Sequence, residues 1–128
     1  MPKEQQLIEV LFLRLLKAPL ETFPELRKEL RAPTGHGVYV IYDPREVVVH
    51  VGSTPRAQRG ISQRLRNHMS GSSSFKYYYL HGDGSLLRGA YKFRCIEIEN
   101  PRTRALLEAY TIGRLCPKHL GIGQARDL

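Results

Sequence analysis

The stretch GVYVIYDPREVVVHVGST, residues 37–54, decides the fold of this chain. It holds two short apolar runs, 38–42 and 47–51, around a polar Asp-Pro-Arg-Glu turn. Val, Ile and Tyr favour a pleated, half-buried strand, and Pro44 supplies the fixed φ of a turn. The stretch reads as a β-hairpin. A hairpin explains the valines and the turn, but not Tyr39 beside Gly37, nor His50 two places before Gly52. Across an antiparallel hairpin turned at 43–46, Tyr39 and His50 fall opposite or diagonal to each other, so their rings can share one face.

Outward from the hairpin the pattern alternates between helix and strand. Residues 4–17 read as an amphipathic helix, with Leu7, Val10, Leu11 and Leu15 at helical spacing and Ile8, Phe12 and Leu16 widening the face. Pro19 ends it. ETFPEL opens a second, short helix, with Thr22 and Glu25 as a capping box and Pro24 in the first turn. STPRAQRG, 53–60, is a basic loop, and ISQRLRNHM, 61–69, a helix with Ile61, Leu65 and Met69 on one face. FKYYYLHGDGSLLR, 75–88, holds a strand and a turn at GDG. GAYKFRCIEIE alternates as a strand, with one slip at Cys95–Ile96. NPRTRALLEAYTIGRL is a helix with Asn100 as N-cap and Pro101 at its first position. The order predicts an α/β sandwich around a small antiparallel three-stranded sheet flanked by helices.

A length of 128 residues suggests one domain. The net charge of +8 and pI near 9.8 point to a polyanionic partner, unless the source proteome is itself basic. No apolar run reaches the roughly 20 residues that span a bilayer. The N-terminus mixes acids and bases into its apolar positions, unlike a secretory signal. A cytoplasmic protein with no membrane contact is expected. Cys95 and Cys116 stand alone, which is not zinc spacing, and both read as buried reduced thiols.

Three further side chains stand out. Arg64 and His68 lie four apart on one helix and share a face. Glu108 sits among Ala105, Ile112 and Leu115, where a carboxylate is poorly solvated without a cation. A metal ion would serve; an i, i+4 pair with Arg104 is the plainer reading.

In order and spacing, these elements resemble the GIY-YIG endonuclease family. GVY at 37–39 matches the first signature triad, and HVG at 50–52 the second, with His in place of the usual Tyr. RLRNH supplies the Arg and a His one turn later, as Arg64 and His68, and LLEAY supplies the metal-binding Glu as Glu108. In the closing Pro-x-x-Asn, Pro117 is present and Leu120 replaces Asn, with His119 beside it as a substitute. The resemblance covers about residues 35–121, leaving an N-terminal helical extension, 1–31, and a tail, 122–128.

The resemblance implies a divalent-metal-dependent endonuclease that hydrolyses phosphodiester bonds in DNA or RNA. Tyr39, His50, Arg64, His68 and Glu108 would be its catalytic residues, with Glu108 holding one Mg²⁺ or Mn²⁺. Arg64 would grip a phosphate oxygen through its planar fork. Tyr39 would accept or orient the water's proton, provided nearby positive charge lowers its pKa from about 10. Arg56, Arg59 and Arg66 would track phosphates, while Lys76 and Tyr78 would meet unpaired bases. Tyr77 and Tyr79 facing inward on a strand is the competing reading of that segment. Because Leu120 replaces Asn, a second reading is a catalytically weakened nucleic-acid-binding module. A third assigns residues 4–30 to protein docking or self-association.

Overall fold

The hairpin forms because its turn is satisfied locally. The Asp43 carboxylate accepts the amides of Arg45 and Val47, while Asp43 N–H donates to Val47 O at 2.9 Å. Glu46 takes the left-handed φ of +65° that closes the turn. The computed structural model describes residues 2–54 and 60–120. In chain order its main elements are α1 (Lys3–Lys17), β1 (Glu21–Thr22), β2 (Gly37–Tyr42), β3 (Val48–Ser53), α2 (Gly60–Ser70), β4 (Lys92–Glu97) and α3 (Pro101–Leu115).

The sheet is antiparallel and four-stranded among the described residues, in the order β1-β4-β2-β3. One more strand is present than the sequence predicted, and it replaces the predicted second helix. Glu21 and Thr22 pair with Phe93 and Lys92. The Thr22–Glu25 capping box is not used as a helix start. Phe23, fully buried, donates its N–H to Tyr91 O and packs on Phe93 at 5.0 Å. An open edge on β4 and a core site for Phe23 outweigh a weak local helix signal.

Alternate residues of β2 face two interiors. Tyr39 and Ile41 join Ile61, Leu65 and Met69 of α2, with Phe75 and Phe93. Val38, Val40 and Tyr42 join Ile8, Leu11, Phe12 and Leu15 of α1 and Leu107 of α3. On β4, Phe93 and Cys95 face the first interior and Ile96 the second. The β2–β4 register is regular from Gly37↔Glu97 to Tyr42↔Lys92. The expected slip at Cys95–Ile96 is therefore the mark of a strand buried on both faces, not of a register break.

Other expectations are also corrected. Leu7 and Val10 of α1 point outward, 46% and 53% exposed, since the buried stripe is Ile8, Leu11, Phe12 and Leu15. Residues Phe75–Tyr79 form a π-helical turn, not a strand, closed by Leu80 N–H to Phe75 O. Phe75 is the fully buried residue of that turn, Tyr79 is half-buried and stacks on it at 5.3 Å, and Tyr77 and Tyr78 both face solvent. Cys116 is exposed at the left-handed C-cap of α3, so only Cys95 is even partly covered.

Candidate active site

The candidate residues gather at the outer edge of β3, where the two helical layers meet. Tyr39 pairs with Gly52 across the hairpin. Its ring lies over that glycine, where a Cβ would overlap the phenol. Gly52 is thus the clearance that lets Tyr39 reach past β3. At Gly37 a Cβ would overlap Ile96 O of the neighbouring strand. The open end of the hairpin is closed by Thr54, whose hydroxyl accepts Gly37 N–H at 2.9 Å.

His50 pairs with Ile41, diagonal to Tyr39, with ring centres 6.0 Å apart. Beside it the register shifts, because Tyr42 pairs with Val48, leaving Val49 as the extra residue of a β-bulge. Val49 and His50 consequently both turn toward α2. The His50 ring stacks on Phe75 at 4.8 Å and lies edge-on to His68 at 5.0 Å.

Two hydrogen-bonded arms run through this cluster. In the first, Tyr39 Oη is 2.6 Å from His68 Nε2, and His68 Nδ1 is 2.8 Å from Ser73 Oγ. Ser73 Oγ already accepts Lys76 N–H. The arrangement that satisfies every atom has His68 Nδ1–H donating to Ser73 and Nε2 accepting the phenol proton. In the second arm, His50 Nδ1 meets His119 Nδ1 at 3.0 Å. His119 N–H donates to Val49 O, which draws the segment after α3 along the outer edge of β3. His119 Nε2 is buried with no partner among the described residues. Leaving that nitrogen unprotonated puts the proton on Nδ1, donated to His50.

Burial sets the charge states. It is the main cause that holds His50 down to about 3 and His68 well below the usual imidazole range, with neighbouring imidazoles and Arg64 adding to it. His119 is lowered by burial as well. All three are neutral near pH 7. Tyr39 is pushed up to about 12 by burial, against the opposing pull of Arg64. The expectation that positive charge lowers this phenol is corrected: Arg64 acts in that direction and desolvation outweighs it.

The Arg64 guanidinium is near enough to both Tyr39 and Glu108 to pull each of them downward. Glu108 approaches from α3, on the other layer. Its Oε1 accepts the Ser53 hydroxyl at 2.8 Å, and burial, chiefly, raises its carboxyl above the usual range. The competing i, i+4 pair of Glu108 with Arg104 does not form. Arg104 is buried and spends its guanidinium on Ile98 O and Glu99 O, both at 3.0 Å.

Among the described residues there is no group of three or more His, Cys, Asp and Glu side chains that could cage a metal. Glu108, half-buried with one hydroxyl donor and the Arg64 charge nearby, offers a single carboxylate, the donor type that suits a hard cation whose other ligands are water or phosphate oxygens.

Ser53 and Ser73 were not singled out in the sequence. Ser53 had a faint signal, since strand alternation from Val51 puts its side chain on the α3 face. Of the expected nucleic-acid contacts, Arg66 is exposed on α2 and Tyr78 is 46% exposed, edge-on to Tyr77. Lys76 is half-buried and donates to Gly71 O at 3.2 Å. Arg56 and Arg59 lie outside the described residues. Leu120 is 37% exposed, while His119 beside it is buried in the cluster.

The fold has close counterparts among solved structures. The GIY-YIG N-terminal endonuclease domain of UvrC from Thermotoga maritima, bound to its catalytic divalent cation, magnesium, superposes with a TM-score of 0.50 at 27% identity. The match covers 70% of this chain and 86% of that one. The chain shares the fold of that GIY-YIG domain. A point mutant of the same Thermotoga maritima domain, also bound to its cation, matches with the same TM-score and identity. No protein-family model and no curated protein matches the sequence. This chain has a nuclease-domain fold, and none of its described helices is long and apolar enough to cross a membrane.

Proposed function

We propose that this chain is a GIY-YIG-type, divalent-metal-dependent endonuclease that hydrolyses phosphodiester bonds in nucleic acid. The observation that carries the reading is the convergence of Tyr39, His68, Arg64 and Glu108, drawn from both helical layers, on the outer edge of β3. Glu108 would hold one Mg²⁺ or Mn²⁺, and such an ion, when bound, polarises the phosphate and stabilises the leaving oxygen. Arg64 binds a non-bridging phosphate oxygen and neutralises its charge.

Tyr39 orients the attacking water. A phenol at about 12 does not strip that water unaided. Its own proton is engaged by neutral His68 Nε2 at 2.6 Å, which leaves a phenol lone pair to accept from the water. Ser73 Oγ accepts from His68 Nδ1–H and fixes that tautomer. His50 and His119 are positioning residues, fixing the back of the cluster through their 3.0 Å contact.

The second reading is a nucleic-acid-binding module with weakened catalysis. Leu120, outside the cluster and unable to hydrogen-bond, favours it. Labelled single- and double-stranded DNA and RNA, with Mg²⁺, with Mn²⁺ or with EDTA, separate the two. The enzyme reading expects metal-dependent cutting that Glu108→Ala abolishes while binding persists. Salt-sensitive binding with no cutting under either metal selects the module.

A further inference from the structure

Helix α2 carries chemistry on two flanks. Arg64 and His68 face the candidate active site, whereas Arg66 lies about 200° around the helix from Arg64. On that far side a cleft of about 360 Å³ opens between α2 and the segment before the hairpin. Its wall holds four cations from three parts of the chain: Arg27, Lys28, Arg66 and Arg88. Leu30 and Met69, each 6% exposed, form the apolar floor. Glu29 is the one acid in the lining.

The cluster is held in place. The Arg88 guanidinium donates to Glu25 O at 3.1 Å and to Lys28 O at 3.0 Å, tying the 25–28 turn to the cleft. Arg27 sits at φ +71°, a left-handed conformation that costs a non-glycine residue free energy. Among the described residues no carboxylate pairs with Arg27, Arg66 or Arg88, and Lys28 meets Glu25 only at 4.0 Å in open solvent. The C-terminal dipole of α2 would favour one or two cations. It does not explain four that repel one another around a concavity.

We infer that this cleft is a phosphate-binding site for the backbone of a nucleic-acid strand that crosses α2 on its way to the active-site edge. The inference deepens the nuclease reading and rests on it for the direction of the strand. The ligand is a phosphodiester chain bound through charge and guanidinium forks, without base readout. It also gives a role to the segment before the hairpin, since Arg27 and Lys28 belong to it.

The test is binding of labelled single- and double-stranded oligonucleotides by fluorescence anisotropy in EDTA, where nothing is cut. Lys28→Ala with Arg66→Ala removes two exposed charges from the cleft. Arg14→Ala with Lys17→Ala removes two from α1, on the other layer. The cleft variant should bind about tenfold more weakly or worse, with the salt slope reduced by about 2. The α1 variant should stay within about twofold of the parent. Equal losses in both variants, or none, overturn the inference. Inorganic phosphate that displaces the oligonucleotide no better than chloride at equal ionic strength supports a polymer site; displacement by dilute phosphate makes the cleft a free-anion pocket and overturns it. Cutting that survives beside an unaffected cleft variant removes only the cleft. Failure to cut with the cleft effect intact removes only the nuclease reading.

Discussion

Two interiors flank the sheet, and they differ in where they bury polar rings. The side covered by α1 and α3 is assembled chiefly from Ile8, Leu11, Phe12, Leu15, Val38, Val40, Val51, Ile98 and Leu107, with Tyr42 beside them and Arg104 and Thr111 of α3 also buried. The α2 side holds an apolar centre too, but toward the edge of β3 it buries Tyr39, His50, His68 and His119 in mutual contact. Burying polar rings costs free energy unless each atom is paired, and His119 Nε2 has no partner among the described residues. One interior supplies stability, while the other spends part of it to hold neutral imidazoles and a phenol at fixed distances.

Breaking the apolar side should have the largest effect on folding. Leu107→Ala, at a fully buried site, is expected to cost about 2–5 kcal/mol in denaturant unfolding. The polar side should show its larger effect in activity. His68→Leu removes the partner of the Tyr39 hydroxyl, so the nuclease reading expects cleavage to fall about 10²-fold or more, with about 1–3 kcal/mol of stability lost because the Tyr39 hydroxyl is left buried and unpaired. Cleavage unchanged in the folded variant would make His68 a purely structural residue.

Acid should separate the two interiors without any mutation. The histidines have folded pKa values below their unfolded values, His50 at about 3. The unfolded chain therefore binds more protons below about pH 6.5. Stability is full above that pH and falls toward pH 3, as the buried histidines resist the protons that the unfolded chain takes up. Melting curves across that range should show the slope, and His50→Gln should reduce it. Glu108 has the opposite sign: its raised carboxyl disfavours the folded state as pH rises through the ordinary carboxylate range. The smallest effect is at a cap. Asn100 Oδ1 accepts Thr103 N–H at 3.0 Å at the start of α3, and Asn100→Ala should cost about 1 kcal/mol and leave cutting in place.

How much of this was legible follows the same division. The hairpin, α2, β4 and α3 were readable because each carries its own period, turn or cap. β1 was not, because Glu21 and Thr22 are strand only by virtue of the open edge of β4. The 75–79 turn was not legible because three tyrosines in a row favour strand locally, whereas the core is met by Phe75 and Tyr79, four apart on a helical turn. At the site, Tyr39, His50, Arg64, His68 and Glu108 were visible from type and spacing. Ser53, Ser73 and the union of His119 with His50 depend on contacts 55, 5 and 69 residues apart along the chain, the two long ones made by tertiary packing.

The glycine beneath the Tyr39 ring has one more consequence, for pairing fidelity. β3 reads Val-Val-His-Val-Gly-Ser, and a valine-rich strand can slide by two residues and still present the same faces to both interiors. Such a slip would set His50 or Thr54 opposite Tyr39 in place of Gly52, and a side chain would then stand where the phenol must pass. Gly52 acts as the keyway of the hairpin: among registers that satisfy the hydrophobic pattern, it admits the one that also assembles the site.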